Sequence, residues 1–536
     1  MAKHIAIIGA GISGLTTIKE CLDNDLIPIC FEQNSSVGGI WRSEEPYSPV
    51  YKSILTNTSK ERSTFSDFPI PADWPTHLNL SQVEKYIDMY TENFNLLPHI
   101  KFNTTVLKVS ILPDKRWKVK YIIQCEREEK EEIFDFVFVC SGLNNKPNWP
   151  EYKGMNLFKG EQMHAHKYKR TAGFENKRVL VVGYRNSGSD IAVELTHVAS
   201  QVYLSIRKEK LPWIIPRFIN GKAFDHTSRF SAHMTPPFII GRRFENNAIK
   251  SFRYPSHLKP TDPLIASYPV VNCEIFQCLA AGRVIVKPNI KELKSENKQI
   301  EFVDGTVLED IDVVIYSTGY NIDDSFLEEN IFTGGCEVEQ GYGKDFQKLA
   351  WLYKLIFPPK YPNIAFIGFT LGGGAIWPVS EMQARYVISQ IKGFIKPLPS
   401  QSEMEKSIRN SYESIRKKYC IAARNALRIN YVSYMETLSQ EIGCYPYSYE
   451  IIKKFGFRFW KLIMFGTFTP IHYRLLGRNV WDGAREAITL YNKDNSKTIT
   501  NRKIYKLLTY LIFLLILLLN GRDGFAKVIN YCRFPL

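Results

Sequence analysis

The apolar residues of the chain fall into two look-alike stretches. Near the start, Ile5-Ala6-Ile7-Ile8 is a short, wholly apolar run, and Gly9-Ala10-Gly11-Ile12-Ser13-Gly14 follows at once. Leu15 to Leu22 continues as a helix, and Pro28-Ile29-Cys30-Phe31 makes a second apolar run that ends at Glu32. Far downstream, Arg178-Val179-Leu180-Val181-Val182 leads into Gly183-Tyr184-Arg185-Asn186-Ser187-Gly188, a helical stretch from Ser189 to Leu195, and a further run over Gln201 to Ser205. Short apolar runs without alternation are what strands show when helices cover both faces of a parallel sheet. The pattern predicts an α/β fold with two Rossmann-like dinucleotide-binding domains, and no other internal repeat.

Elsewhere the pattern changes. Residues 211–284 read as an inserted subdomain, rich in proline, in which Trp213, Phe218, Phe230, Phe238, Phe244 and Phe252 alternate with Arg217, Arg229, Arg242, Arg243 and Arg253. That texture suits a membrane interface and a substrate gate; an ordinary packed subdomain with a solvated basic rim is the alternative. Residues 441–504 read as a helical C-terminal region. Within 505–520, Leu507 to Leu519 (LLTYLIFLLILLL) is the strongest hydrophobic run. As a helix it spans only ~20 Å, short of a ~30 Å hydrocarbon core. Arg502, Lys503, Lys506 and Arg522 flank it, as in segments that snorkel to an interface, and it has no polar face. Membrane anchoring is expected, with a buried core helix as the alternative. Asn520 to Leu536 form a tail. Folded pattern begins by His4, which leaves no room for a signal peptide.

Charge and cysteine content narrow the function. The formal charge of +15 suits polyanionic partners: nucleic acid, anionic lipid or phosphate-rich cofactors. No compact Lys/Arg block or known nucleic-acid motif is present, so nucleic acid is not expected. Ten cysteines are scattered without a CxxC pair. They read as reduced thiols, and they argue against a flavin disulfide reductase, which needs two close cysteines. No metal-ligand cluster stands out; His164 and His166 lack a third ligand nearby and read as structural or linker residues.

Each glycine turn carries chemistry. In the first, Gly9 permits the tight turn, Gly11 lets backbone approach a pyrophosphate, and Gly14 lets helix and strand pack closely. Ala10, Ile12 and Ser13 complete the cradle, and the helix N-terminus faces the phosphates. Glu32 would accept from ribose hydroxyls and repel a 2′-phosphate, so this site fits FAD or NAD. The second turn, with Asn186, Ser187, Gly188, Ser189 and Asp190 opening its helix, is followed not by an acid but by Ser205-Ile206-Arg207-Lys208. A hydroxyl and a guanidinium there suit the 2′-phosphate of NADPH. Hydride passing from NADPH to FAD is implied. One residue departs from the pattern: Arg185 replaces the middle glycine, and its side chain either touches a phosphate or weakens NADPH binding.

Phe158-Lys159-Gly160-Glu161-Gln162-Met163-His164-Ala165-His166-Lys167-Tyr168 fits FxGxxxHxxxY, just ahead of the second turn. With this motif the chain resembles the flavin-containing monooxygenases of xenobiotic N- and S-oxygenation, microsomal dimethylaniline N-oxide-forming type, over nearly its whole length. Gly38-Gly39-Ile40-Trp41 matches that family's flavin loop. Tyr51 to Glu61 (YKSILTNTSKE) matches the segment with its active-site asparagine, and Asp67-Phe68-Pro69-Ile70-Pro71 follows. Val139-Cys140-Ser141-Gly142 and Tyr316-Ser317-Thr318-Gly319-Tyr320 resemble its two strand-end motifs. Gly372-Gly373-Gly374 through Gln383-Ala384-Arg385 resembles the stretch returning to the flavin, and Gly466 to Ile488 resembles the C-terminal region of animal microsomal members.

The resemblance implies an NADPH- and O2-dependent monooxygenase that oxygenates soft N or S atoms of a small amine or thioether through a C4a-hydroperoxyflavin. Asn57 would act by hydrogen bonding to the peroxide and the nicotinamide; an amide both donates and accepts without charging. Asn57-Thr58-Ser59 is also a glycosylation sequon, read as accidental. Gly39, Ile40, Trp41, Thr56, Asn57 and Gln383 would join the FAD cradle. Tyr168, where Baeyer–Villiger relatives usually carry Trp, favours the N/S branch. Residues 1–150 and 325–440 would form the FAD domain, 151–324 the NADPH domain, and 521–536 the tail. The expected location is the endoplasmic reticulum membrane with the catalytic domains facing the cytosol, and a homodimer is compatible with the sequence. Alternatives are a Baeyer–Villiger enzyme, an NADPH oxidase releasing H2O2, or a non-catalytic FAD/NADP-binding protein.

Overall fold

The computed structural model describes residues 3–493, apart from 127, 208–209, 220, 228–229, 231–241, 243, 250–251, 253, 255–257, 265–266, 268, 329, 334–349 and 419–425. The expected anchor over 505–520 and the tail lie outside the described residues. Among those described, no helix is long and apolar enough to cross a membrane.

Two five-stranded parallel sheets organise the molecule. In the first, the strands run in the order Ile364–Phe366, Phe136–Val139, His4–Ile8, Ile27–Phe31, Ile100–Lys101. In the second the order is Val284–Lys287, Gln201–Ser205, Arg178–Val182, Val313–Tyr316, Glu161–His164. Ile5, Ala6, Ile7, Val179, Leu180 and Val181 are all inaccessible to solvent, which explains why these strands read as unbroken apolar runs. In both sheets the strand before the glycine turn has its helix-linked neighbour on one side and a later strand on the other. Its carboxyl end is therefore a topological switch point, where open α/β sheets bind ligands.

The second sheet is inserted within the first, because Ile364–Phe366 rejoins the first sheet beside Phe136–Val139 only after the second is complete. The two crossings are tied together: Lys146–Pro147 pairs antiparallel with Tyr320–Asn321, and Thr318 Oγ1 donates to the Asn148 carbonyl at 2.6 Å. His164, from the FxGxxxHxxxY segment, bonds through Nε2 to the Gly319 carbonyl at 3.0 Å, and Gly160 approaches Ile311 so closely that a Cβ would lie 2.7 Å from its carbonyl oxygen. The motif thus builds the link between the domains. In the insertion, Ile214–Ile215 pairs with Val270–Val271, and helix Ile275–Ala280 packs on helix Asn186–Leu195, so the chain has rejoined the second domain before residue 284.

Helices close the first domain. Ile376–Ile391 is buried along most of its length and packs on Ile12–Leu22 and on Tyr431–Ile442. The segment after Gly466 plugs into this layer: Arg474, 1 % exposed, donates to Glu20 and Glu381 at 2.8 and 2.9 Å, lies 2.8 Å from Asp67 and bonds Ser66 at 2.6 Å. Lys19 reaches Asp67 and Asp23 at 2.5 and 2.7 Å. Burial alone would raise the Glu20 carboxyl, but Lys19 and Arg474 outweigh it and hold it at about 2. A buried guanidinium survives only when its donors are met in this way.

Candidate active site between two cradles

One continuous cavity of about 3730 Å3 runs between the carboxyl ends of the two sheets. At its first end the turn folds as its glycines require. Gly9 has φ +99°, and a Cβ on Gly14 would stand 1.9 Å from the Gly9 carbonyl oxygen. Gly11 faces Gly39, where a Cβ would approach the Gly11 Cα at 3.1 Å. Two bare backbone segments therefore line the start of helix Ile12–Leu22, whose N-cap residue offers no side-chain acceptor to the first-turn amides. Such amides form an anion site. Glu32 is nearly buried; its carboxylate accepts from the Ala10 amide at 2.6 Å and the Asn34 amide at 2.8 Å. Burial lifts its pKa, opposed by those amides.

The second turn closes the same way despite Arg185. Gly183 has φ +104°, and a Cβ on Gly188 would stand 1.9 Å from the Gly183 carbonyl oxygen. Arg185 is the N-cap of Asn186–Leu195 with φ −126° and ψ −170°, extended backbone open to any residue, and its side chain lines the cavity. The turn is not rearranged. Ser205 is buried, and its Oγ donates to the Pro288 carbonyl at 2.7 Å, so the hydroxyl hydrogen is already committed. Arg207, two residues further on, lies exposed on the cavity wall.

Between the cradles lies the Asn57 segment. Tyr51 donates to Asp190 Oδ2 at 2.7 Å, and Ser53 and Tyr168 donate to one oxygen of Glu194 at 2.7 and 2.9 Å. Burial, then Asp190, pushes the Tyr51 hydroxyl far above its usual range, so it stays a donor. Arg217 Nη2 donates to Asn57 Oδ1 at 3.2 Å, and His77 bonds the Thr56 carbonyl at 3.0 Å. His77 is held below its ordinary pKa by burial and is neutral at pH 7.

Of the residues expected from sequence, Gly9, Gly11, Ile12, Ser13, Glu32, Gly39, Ile40, Trp41, Thr56, Asn57, Asn186, Ser187, Asp190, Ser205 and Arg207 line this cavity. Ala10, Gly14, Gly188, Ser189 and Gln383 do not. The two glycines act by close packing, and Ala10 through its amide. Ser189 is buried with its hydroxyl donating to the Asn186 carbonyl at 2.9 Å. Gln383 is fully buried, accepting from the Gly368 amide and donating to Tyr434, each at 2.8 Å, so it braces the helix rather than touching a ligand. Sequence reasoning missed Tyr51, His77 and Arg217 as site residues. Tyr51 opens the segment that carries Asn57, Arg217 reads only as basic texture, and nothing local marks His77.

A dinucleotide pair fits these residues. Asn34 Oδ1, Ser141 Oγ and Asn145 Oδ1 by the first cradle, and Tyr184 OH and Ser317 Oγ by the second, are buried on the cavity wall with no hydrogen-bond partner among the described residues. Buried polar atoms without partners cost stability unless a ligand or water meets them. Two facing cradles, one acid-ended and one base-ended, define a two-dinucleotide flavoprotein oxidoreductase. The chain belongs to the flavin-binding monooxygenase-like family, whose model matches residues 2–520. It is 38 % identical over 516 residues to flavin-containing monooxygenase 5 of Cavia porcellus, covering 92 % of each chain. It is 37 % identical over 511 residues to dimethylaniline monooxygenase [N-oxide-forming] 2 of Oryctolagus cuniculus, covering 91 % of each. Its fold matches S-allyl-L-cysteine S-oxygenase from Allium sativum with TM-score 0.62 and 22 % identity, over 93 % of this chain and 99 % of that one. The protein is an FAD- and NADPH-dependent flavin monooxygenase.

Proposed function

We propose that the chain oxygenates soft nucleophilic nitrogen or sulfur atoms of small molecules at the cavity between its two cradles. The observation that carries this is the Asn57 segment, which belongs to the FAD side, is bonded to the NADPH-side helix through Tyr51 and Ser53, and lines the shared cavity. Bound FAD, reduced by NADPH, supplies activation of O2 and transfer of one oxygen atom. The chain's residues do the rest. Gly9 to Gly14 and Gly38 to Trp41 would hold the flavin nucleotide, with Glu32 placed to take its ribose. Ser187 and Asn186, which open the second helix on the cavity wall, would hold the NADPH pyrophosphate, and Arg207 would meet the 2′-phosphate. Asn57 presents an uncharged amide to the cavity between the cradles, where flavin and nicotinamide would meet. Trp41 against Trp377, ring centroids 5.7 Å apart, and Phe230 against Phe468 at 5.8 Å keep part of the wall apolar and limit water.

The test is anaerobic reduction of the yellow holoenzyme by NADPH, then O2 with a thioether or, separately, a ketone. Sulfoxide formed in step with NADPH consumption is expected. Ester alone makes the enzyme a Baeyer–Villiger catalyst, H2O2 alone makes it an oxidase, and flavin that never bleaches makes it a binding protein.

The same reading places the enzyme on the cytosolic face of the endoplasmic reticulum membrane. Its support is the Leu507 to Leu519 run and the face of helices Ser448–Phe455 and Phe457–Phe465, where exposed Tyr449 and Phe457 neighbour Lys453, Lys454 and Arg458. Aromatic and basic side chains together suit an anionic lipid interface. Retention in the membrane fraction through carbonate washing, with the catalytic domains open to added protease, checks it; release by carbonate overturns it.

A further inference from the structure

What Asn57 can do depends on which end of its amide faces the cavity, and a residue from the other domain decides that. Arg217 Nη2 lies 3.2 Å from Asn57 Oδ1. A guanidinium is all donor, so the amide oxygen must face it and the NH2 group is left for the cavity that Asn57 lines. Without such a partner the terminal torsion of asparagine is broad and nearly two-fold, and the two ends exchange. We propose that Arg217 is a positioning residue that locks the Asn57 amide with its NH2 group presented where flavin and nicotinamide meet, making that position a permanent hydrogen-bond donor. The inference rests on the reading of Asn57 given above and deepens it.

The surroundings leave that torsion as the part still to be fixed. The same short stretch that carries Arg217 holds the Asn57 segment at alternate residues beyond Asn57: Asp225 Oδ2 accepts from the Ser59 amide at 2.7 Å, and His226 Nε2 lies 2.9 Å from Glu61 Oε2. Upstream, Tyr51 and Ser53 are bonded to Asp190 and Glu194, one turn apart on helix Asn186–Leu195. The backbone around Asn57 is therefore pinned from both sides. Arg217 is itself placed, its amide donating to Cys273 Sγ at 3.2 Å and its carbonyl accepting from the Phe224 amide at 2.8 Å. Its Nε is buried with no hydrogen-bond partner among the described residues.

The experiment uses the flavin-loaded full chain with Arg217→Met, Arg217→Lys, Asn57→Ala, Asn57→Asp and the double variant Arg217→Met/Asn57→Ala. Two quantities are read: H2O2 released per NADPH consumed in the presence of a thioether, and the flavin difference spectrum as NADP+ is titrated into oxidised enzyme. Arg217→Met is expected to raise the peroxide share to the level of Asn57→Ala and to weaken NADP+ about fivefold, the scale of one hydrogen bond. Arg217→Lys restores most of the coupling, and the double variant is no worse than Asn57→Ala alone. Asn57→Asp, which keeps an acceptor for Arg217 but has no donor, behaves like Asn57→Ala; it decides the matter even if Arg217→Met fails to hold flavin. Wild-type coupling and spectrum in Arg217→Met, multiplying effects in the double variant, or wild-type behaviour of Asn57→Asp overturns the proposal. Unaltered coupling in Asn57→Ala instead overturns the role given to Asn57 itself, a separate failure.

Discussion

At the first cradle, Gly11 faces Gly39 across bare backbone, and the strand that follows ends in a nearly buried carboxylate held by two amides. At the second, Arg185 stands where Gly11 stood, and the strand ends at Ser205, with an exposed Arg207 two residues further on. The turns themselves are alike: φ is +99° at Gly9 and +104° at Gly183, and a Cβ at Gly14 or Gly188 meets the same carbonyl at 1.9 Å. Backbone need alone sets those four glycines. The middle position is different, because its backbone is extended in both turns and only the ligand's approach asks for glycine there. The fold thus repeats its geometry and varies its charge, with a carboxylate after the strand of one cradle and a guanidinium after that of the other.

The two cradles should differ most when their packing glycines are replaced. Gly14→Ala drives a methyl into the Gly9 carbonyl and is expected to cost about 3 kcal/mol locally, so the purified protein should be colourless. Gly188→Ala makes the same collision in the second domain and should leave the protein yellow while anaerobic NADPH no longer bleaches it. Flavin content and reduction, read by absorbance, check both; a yellow, reducible Gly14→Ala would show the domains are not organised as described.

These glycines were legible in the sequence because a tight turn between two-sided apolar strands has almost no other solution. The limits of the reading were physical too. Both helices begin earlier than expected, at Ile12 rather than Leu15 and at Asn186 rather than Ser189, because residues inside the glycine turn already hold helical geometry. Gln383 reads as a ligand contact because helix Ile376–Ile391 is buried along most of its length, so periodicity marks no face, and Ser189 because it follows Asn186 and Ser187, which do line the cavity. Lys19, Glu20 and Arg474 were invisible as core residues: charges are read as surface, and only the fold brings together residues so far apart in the chain. Arg217 and His77 escaped for the same reason, since each meets the Asn57 segment only through tertiary contact.

The strand ends offer the next sharpening. Arg207→Ala should weaken NADPH by about 2 kcal/mol, roughly thirtyfold, the worth of a charge-assisted phosphate contact. NADH, with no 2′-phosphate, should be used as before. Steady-state KM values for the two nucleotides check this. Equal losses for both would mean that Arg207 meets the pyrophosphate rather than the 2′ position.

Arg185 separates charge from shape at the middle position. Arg185→Ala keeps the Cβ and removes the guanidinium from the N-cap of a helix whose first-turn amides have no side-chain cap. It should weaken NADP+ by about 1 kcal/mol, near fivefold, and flatten the dependence on salt. Arg185→Gly also removes the Cβ and should bind more tightly than the alanine variant. Titration of NADP+ at two ionic strengths reads both; tighter binding by Arg185→Ala would make the arginine an obstruction and the second turn a damaged copy of the first.

The smallest effect concerns the link between the cradles and appears only with acid. Burial holds the His164 imidazole at about 4, below its ordinary 6.5, so it is neutral at pH 7 and donates from Nε2 to the Gly319 carbonyl while Nδ1 accepts from the His166 amide. With a depressed pKa in the folded state, the unfolded chain binds the extra proton first as pH falls. The stabilisation from His164 is therefore complete above pH 6.5 and is lost on the way down through about 4. In the FAD half, Glu20 keeps its charge until about 2 and gives way only below its ordinary 4.5. Between pH 6.5 and 4.5 acid should thus loosen the junction of the two domains before it reaches the buried ion network. Thermal melts across that window should show a falling stability that is shallower in His164→Gln, which carries no titrating ring. A slope unchanged by that substitution would place the acid sensitivity at another group, away from the His164–Gly319 contact.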